Sequence, residues 1–170
     1  MSDDQTSGPR PEVPQPSPDG PPRLAAHSAQ PRVVVGVDGS DLSLSALRRG
    51  VRMAVALGGV LEAVIVWHFP DDGFLYPPVT EWSPEKDAGT VVQTAADAVV
   101  GTNWPEWFTV STHQGSPAQV LIEESEGAEM LILGDRGHGG FPGLLLGSVS
   151  ASCARHAHCP VLIVRGPSDT

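Results

Sequence analysis

The sequence has little cysteine, little lysine and no long apolar run. Its 170 residues include 2 cysteines, too few for a disulfide scaffold, and a single lysine, Lys86. No stretch of 18 apolar residues is present, so no transmembrane helix is expected. The N-terminus carries acids and prolines where a secretory signal needs a basic patch and an apolar stretch. We therefore expect a cytoplasmic globular protein.

Positive charge is also scarce. The chain carries 20 acidic against 10 basic side chains, for a formal net charge of −10 and a pI of about 4.8. Residues 32–165 hold 15 acidic and 8 basic residues, net −7, so the acidity belongs mainly to the folded part. Proteins that hold DNA, RNA or anionic membranes use clustered Lys and Arg. The charge therefore argues against a nucleic acid or a membrane as the main partner.

Proline is concentrated at one end of the chain. Eight of the 17 prolines fall in residues 1–31, which have almost nothing apolar to bury. Each proline fixes φ and removes a backbone donor, so we expect a disordered, partly polyproline-like tail. A solubilising extension is the simpler interpretation, and a docking site for a proline-recognising partner is the alternative. Residues 167–170 are expected to form a short C-terminal tail.

From residue 32 onward, short apolar runs alternate with segments of helical periodicity. Runs without polar alternation are typical of strands buried on both faces of a parallel sheet. Strict strand–helix alternation implies right-handed crossovers between parallel strands. The sequence predicts one α/β domain over 32–166, a doubly wound, Rossmann-like open sheet of five parallel strands with helices on both faces. Strands are predicted at 32–37, 60–67, 107–113, 129–134 and 160–165, and helices at 42–57, 84–101, 117–126 and 148–157.

A glycine-rich loop after the fourth predicted strand is the strongest functional signal. Its spacing is G-x2-G-x9-G-S, starting at Gly134 and continuing through Gly137 to Gly147 and Ser148. Gly134 and Gly137 are expected to allow unusual φ values and a close approach of the backbone to a ligand. Gly147 and Ser148 open the next helix, where free N–H groups and the helix dipole favour an anion. The hydroxyls of Ser148 and Ser150 are expected to add hydrogen bonds.

These features predict a phosphate cradle built from backbone amides. The loop lacks the Gly-Lys-Ser/Thr of a Walker A motif, and the first strand is not followed by G-x-G-x-x-G. In open α/β sheets, ligands bind outside the carboxyl ends of the strands, which is where this loop lies. A purely structural loop that closes a strand–helix connection is the alternative interpretation.

Asp38 is the second candidate, because it directly follows the first predicted strand. A carboxylate there can accept hydrogen bonds from a base or sugar, or help to hold Mg²⁺ beside phosphates. The sequence Asp-Gly-Ser-Asp is also ordinary turn chemistry, with Ser40 or Asp41 as the helix cap. The residues alone leave both roles open.

Several motifs together make residues 32–165 resemble the universal stress protein family. They are VVVGVDGS at 33–40, GSPAQVL at 115–121, LILGDRGHGGFPGLLLGSVS at 131–150 and CPVLIVR at 159–165. In that family the G-x2-G-x9-G-S spacing marks the subgroup that binds ATP. The resemblance implies an ATP-binding stress-response or regulatory protein. It also implies a homodimer that pairs through the last strand, and a protein partner that the sequence does not identify.

The resemblance further implies roles for residues at matching positions. Asp38 would contact the adenine or ribose together with the backbone at Gly36 and Val37, and Val66 would pack on the adenine ring. Leu133 would line the site just before the phosphate loop. Because the surroundings are acidic, binding is expected to depend on Mg²⁺, held through the phosphates and Asp38. The ribose and phosphates would be surrounded by Gly134, Arg136, Gly137, Gly147, Ser148, Val149 and Ser150.

Efficient ATP hydrolysis needs a metal clamp, a group that orients water and usually a positive finger. Asp38 could serve the metal and Arg136 could be the finger, but the loop offers no convincing water-positioning residue. Slow or absent turnover is therefore expected, and no catalytic residue is assigned. Two alternatives stay open: a nucleotide-hydrolysing or adenylyl-transferring α/β enzyme, and a nucleotide-free protein-interaction module.

Other chemistry-bearing residues fit structural roles better. Cys153 and Cys159 lie near His156 and His158, but this spacing is not that of a zinc site, so buried thiols are expected. Lone histidines at strand ends are expected to be surface or hydrogen-bonded residues. Tryptophans with acidic neighbours are expected to be core or loop anchors, and the acidic run is expected to form a solvated helix end. These residues are His68 and His113; Trp67, Trp82, Trp104 and Trp107; and Glu123, Glu124, Glu126 and Glu129.

Overall fold

A computed structural model describes residues 30–68, 83–137 and 146–166. The predicted C-terminal tail, nearly all of the N-terminal tail, the segment 69–82 and the centre of the glycine-rich loop at 138–145 lie outside these residues. Within the described ranges, no helix is long and apolar enough to cross a membrane.

Strands and helices alternate along the described part of the chain. All strand pairs are parallel, in the order β3-β2-β1-β4-β5. The predicted fold class, a Rossmann-like α/β sheet of five parallel strands, is therefore confirmed. The strands are β1 (Arg32–Gly36), β2 (Val60–Trp67), β3 (Phe108–Gln114), β4 (Met130–Gly134) and β5 (Val161–Val164); the helices are α1 (Asp41–Leu57), α2 (Pro84–Val100), α3 (Pro117–Glu124) and α4 (Ser148–His156).

Local sequence explains where the first helix begins and ends. Ser40 is the N-cap of α1, and its hydroxyl accepts a hydrogen bond from Ser43 N at 3.2 Å. Asp41, the other predicted cap, is instead the first helical residue, where its charge complements the helix dipole. α1 ends at Gly58, whose φ of 62° is the left-handed conformation that glycine adopts without strain.

α3 is shorter than predicted, because it ends at Glu124 and not at residue 126. The hydroxyl of Ser125 donates to Ile122 O at 2.5 Å and thereby satisfies one of the last helical carbonyls. Gly127 then takes a φ of 69°, which turns the chain toward β4. The prediction missed this end since the run of glutamates continues the helix-forming composition.

Each face of the sheet carries its own hydrophobic cluster. α1 and α2 cover one face and α3 and α4 the other, so the sheet is covered on both sides. The α1/α2 face buries fifteen core residues, whereas the α3/α4 face buries seven. The thinner packing of the second face leaves room for a cavity. The seven residues are Val34, Val64, Val120, Leu121, Leu131, Leu133 and Cys153.

Candidate functional site

β1 and β4 are neighbours in the sheet, but the helices that follow them leave toward opposite faces. α1 follows β1 and packs on one face, whereas α4 follows β4 and packs on the other. The chain therefore diverges at the carboxyl ends of these two strands and leaves a crevice, where ligands of such sheets bind. A cavity of about 310 Å³ opens at this point.

Gly36, at the end of β1, provides the space for the apolar end of the cavity. It pairs with Val64 of β2, and the side chain of Leu133 of β4 lies close to it. A Cβ on Gly36 would lie 2.6 Å from Leu133 Cδ2 and 3.2 Å from Leu121 Cδ1. Glycine therefore keeps this layer open. Val66, two residues beyond Val64 on the same face of β2, extends the apolar lining toward the rim.

The N-terminus of α4 forms the polar end of the cavity. Gly147 is the N-cap, and no side chain caps the helix. The first N–H groups of a helix have no intrahelical acceptor, so those of Ser148, Val149 and Ser150 are suited to an anion. The expectation of a free N–H at Gly147 is wrong, because this group donates to Asp135 O at 2.7 Å. That bond fixes the helix end against the end of β4.

Ser150 acts differently from the prediction. Its side chain is 5% exposed, and its hydroxyl donates to Gly134 O at 2.6 Å. A phosphate oxygen can only accept hydrogen bonds, so the proton committed to Gly134 cannot also serve a phosphate. The predicted hydroxyl contact fits the exposed Ser148, whereas Ser150 lines the cavity with its backbone and holds α4 to β4.

The glycines of the loop are needed for close approach and not for unusual backbone angles. Among the described residues, positive φ values occur at other glycines, and neither Gly134 nor Gly137 has one, so that part of the prediction is wrong. A Cβ on Gly134 would lie 3.0 Å from Leu42 Cβ at the start of α1. A Cβ on Gly137 would overlap Oδ2 of Asp38. Both glycines therefore let the loop that follows β4 lie directly against the loop after β1 and the start of α1.

Asp38 lies at the rim of the cavity and shapes the turn before α1. Its Oδ1 accepts hydrogen bonds from Ser40 N at 3.0 Å and from Ser40 Oγ at 2.6 Å. The turn role that the sequence allowed is thus confirmed. The side chain is exposed and lines the cavity, and its contact with a base, a ribose or Mg²⁺ stays a prediction.

Charge around the cavity is mixed. Among the lining residues that the structure describes, Arg136 is the cation and Asp38 the carboxylate, and both are exposed. The neighbouring Asp135 is 6% exposed, and its Oδ1 has no hydrogen-bond partner within the described ranges. Asp135 thus places a buried acidic side chain next to the lining, between Gly134 and Arg136.

All twelve predicted site residues line this one cavity: Gly36, Val37, Asp38, Val66, Leu133, Gly134, Arg136, Gly137, Gly147, Ser148, Val149 and Ser150. Four further lining residues, Ser43, Val64, Pro117 and Leu121, were missed. The two-residue period of β2 could have added Val64, and the four-residue spacing of Pro117 and Leu121 places both on one face of α3. Nothing in the sequence singles out Ser43.

Cys153 is a buried thiol as expected, whereas Cys159 is only half-buried. Cys153 is 0% exposed, and burial raises the pKa of its thiol from 9.0 to about 11. Burial also raises the pKa of the half-buried Cys159. Within the described ranges, no group of three or more His, Cys, Asp or Glu side chains could hold a metal ion. Trp104 and Trp107 pack edge-on against Phe108 and are core anchors, as predicted.

Glu124 corrects the prediction of a fully solvated acidic helix end. Its Oε2 lies 3.3 Å from Nη1 of Arg32, which also binds Glu62 at 2.8 Å. The same guanidinium donates to the main-chain oxygens of Glu124 and Glu126. His113 Nε2 lies 3.7 Å from Glu124 Oε1, so this histidine faces α3. The remaining glutamates of the run, Glu123, Glu126 and Glu129, are exposed as expected.

Comparison with known proteins adds independent findings. Residues 31–165 match the family model described as the universal stress protein family. A universal stress protein of Mycolicibacterium smegmatis is 35% identical over 146 residues, which cover 83% of this chain and 48% of that protein. Universal stress protein Rv2623 of Mycobacterium tuberculosis is 32% identical over 147 residues, covering 82% of this chain and 46% of that protein. The chain thus spans about half the length of these curated relatives.

Solved structures of universal stress proteins are also similar to this chain. A crystal structure of a universal stress protein in complex with cAMP is 30% identical, with a TM-score of 0.58. The match covers 81% of this chain and 98% of that one.

Proposed function

Since the chain belongs to the universal stress protein family, we propose that it is a regulatory protein that binds an adenine nucleotide, with ATP as the expected ligand. The observation that carries this proposal is the division of one cavity into an apolar end and a helix N-terminus. A nucleotide has the same division, with a flat base at one end and phosphates at the other.

The apolar end suits a base. Val64, Val66, Leu121 and Leu133 surround the space above Gly36, and Pro117 closes it at the start of α3. Such a lining favours a flat heterocycle, which gives up little hydration when it leaves water. We assign the adenine to this end, with Val66 against the ring.

The polar end suits phosphates. The N–H groups at the start of α4 point out of a helix that no side chain caps, and Arg136 lies on the same lining. Together they supply a partial positive charge, directed N–H donors and one guanidinium without any lysine. A universal stress protein of known structure is a complex with cAMP, which supports an adenine nucleotide as the ligand class.

Mg²⁺ is proposed to accompany the phosphates. Asp38 at the rim and the buried Asp135 give the polar end a negative surround, which a divalent cation would offset. Asp38 is the one carboxylate among the described lining residues, it already accepts two hydrogen bonds from Ser40, and we assign it to the cation and not to an attacking water. We therefore propose a binding and regulatory role with slow or no hydrolysis, in preference to an adenylyl-transferring enzyme.

The protein is further proposed to act as a homodimer paired through β5. This strand is at one end of the sheet order, and Leu162 within it is 36% exposed. An exposed apolar edge strand is open to pairing with another strand. Light scattering coupled to size-exclusion chromatography is expected to give twice the chain mass of 17.8 kDa, and a monomer at all concentrations would contradict the dimer.

The nucleotide site is tested by equilibrium dialysis with ATP and Mg²⁺ on Gly137→Val. A side chain at this position must displace the Asp38 carboxylate or the phosphate loop, so affinity should fall at least about tenfold. Gly89→Val is the matched control, because a Cβ there meets nothing within 4 Å, and its affinity should be unchanged. Parental affinity in Gly137→Val would contradict the assignment of this cavity.

A further inference from the structure

The outer face of α1 carries a cluster of exposed arginines, Arg48, Arg49 and Arg52, which we call the arginine patch. At 3.6 residues per turn the three lie within one stripe of the helix surface. Val55 follows on the same stripe and is 62% exposed, the highest value among the exposed large hydrophobic residues of the described ranges. A cationic and an apolar element therefore stand side by side on one surface.

Within the described ranges, the three arginines make no ion pair that would stabilise the fold. The nearest acid on the stripe, Asp41, is seven residues from Arg48, two helical turns away. Within the described ranges, no carboxylate lies within ion-pair distance of any of the three guanidinium groups. Arg48 and Arg52 are four residues apart and Arg49 and Arg52 three, spacings at which like charges repel. The last turn of α1, where cations would favour the helix dipole, holds no basic residue.

Arg32 shows how this protein uses an arginine structurally. Its guanidinium binds Glu62, Glu124 and two main-chain oxygens, and so fastens α3 to the sheet. Among the residues that the structure describes, the arginine patch makes no such ion pair, although the segment 32–165 has nearly twice as many acids as basic residues. Three arginines on one helix that have no ion pair within the described part of the chain form a surface on which a partner can bind.

We propose that the arginine patch and Val55 bind an acidic segment of a partner protein that also carries an apolar side chain. From Arg48 to Val55 the stripe is about 10 Å long, which matches two turns of a helix or a few extended residues. Guanidinium groups bind carboxylates in a bidentate manner, and Val55 offers a contact for the apolar side chain.

A polyanion fits this surface less well than an acidic protein segment. Three cations are fewer than the phosphate contacts of typical DNA-binding proteins, and the net charge of −7 on residues 32–165 repels a long anion. A phosphate backbone also offers no apolar group that Val55 could contact. An acidic segment with an apolar residue uses both parts of the surface.

The proposal is tested with the full-length protein and a fluorescein-labelled peptide of sequence EELEELEE, followed by anisotropy. The triple variant Arg48→Gln, Arg49→Gln, Arg52→Gln should bind about tenfold more weakly, since each exposed pair contributes modestly. Its melting temperature should stay equal to that of the parent or rise, because the repulsion within α1 is removed. Val55→Ser should weaken binding by a smaller factor.

A charge-matched control separates the patch from overall charge. Lys86→Gln, Arg155→Gln, Arg165→Gln removes the same charge from exposed positions elsewhere and should bind the peptide as the parent does. Equal loss in both triple variants, or no loss in the patch variant, would overturn the proposal. Tighter binding of a short DNA duplex or of phosphatidylserine vesicles than of the peptide, lost in the patch variant, would also overturn it and assign the patch to a polyanion.

Discussion

The two faces of the sheet are built from similar residues but differ in how completely they are packed. On the α1/α2 face, Leu47, Leu61 and Phe108 belong to a cluster that surrounds them with other side chains. On the α3/α4 face, Leu121 and Leu133 are just as buried but have the cavity on one side. The first face is therefore closely packed, whereas the second gives up part of its packing and keeps a cavity open.

This difference predicts that the same substitution has different consequences on the two faces. Leu47→Ala should lower the free energy of unfolding by about 2–5 kcal/mol, because the cavity it leaves is closed on all sides. Leu121→Ala should cost less, about 1–2 kcal/mol, since one side is already open. Urea denaturation measures both values.

Nucleotide affinity should show the opposite order. Leu121→Ala removes part of the proposed base site and should weaken ATP binding, while Leu47→Ala at a temperature where it is folded should not. Equal losses of stability with no difference in affinity would mean that the two faces are equivalent.

Two tightly packed glycines, one on each face of the sheet, allow a second comparison of stability with nucleotide affinity. A Cβ on Gly50 of α1 would lie 2.5 Å from Val35 Cγ2, and one on Gly36 would lie 2.6 Å from Leu133 Cδ2. Gly36→Ala and Gly50→Ala should each destabilise by about 1–3 kcal/mol through overpacking. Dialysis with ATP should show reduced affinity only for Gly36→Ala, since Gly50 lies on the α1/α2 face.

The titration of Cys153 reports whether water is excluded from the α3/α4 face at a distance from the cavity. The pKa of its thiol is raised by burial to about 11 in the folded protein from 9.0 in an unperturbed thiol. Between these values the unfolded chain loses the proton and the folded protein keeps it, so stability is complete below pH 9 and falls as the pH rises toward 11. At pH 10 the loss should be about 1 kcal/mol.

The matching measurement compares the pH dependence of the unfolding free energy in the parent and in Cys153→Ala. Subtracting the two curves removes the contributions of other groups that titrate in alkali. A difference that stays constant from pH 8 to 10.5 would mean that water reaches the thiol.

Much of this architecture could be predicted from the sequence, because it follows from local physics. Unbroken β-branched runs indicate buried parallel strands. A serine followed by a proline, at 83–84 and at 116–117, predicts where two of the helices begin. The position of Asp38 and of the glycine-rich loop after strand ends pointed to the switch point, whereas the remaining predicted site residues were implied by the family resemblance. Those implied by the resemblance are Gly36, Val37, Val66, Leu133, Arg136 and Val149.

The missed features depend on contacts between distant segments. The hydroxyl of Ser150 donates to the main-chain oxygen of Gly134, sixteen residues earlier. The carboxylate of Glu124 is paired with Arg32, ninety-two residues earlier. Neither partner can be read from local spacing. Ser43 enters the cavity only because α1 begins beside it, which is likewise a property of the assembled sheet.

Calorimetric titration of the full-length protein with ATP, ADP, AMP and cAMP, each with and without Mg²⁺, tests the central claim most directly. We predict saturable binding of adenine nucleotides at one site per chain, strengthened by Mg²⁺ for ATP, and weakened in Gly36→Ala. No heat with any of the four nucleotides in either condition, from protein that is folded by circular dichroism, would contradict the account.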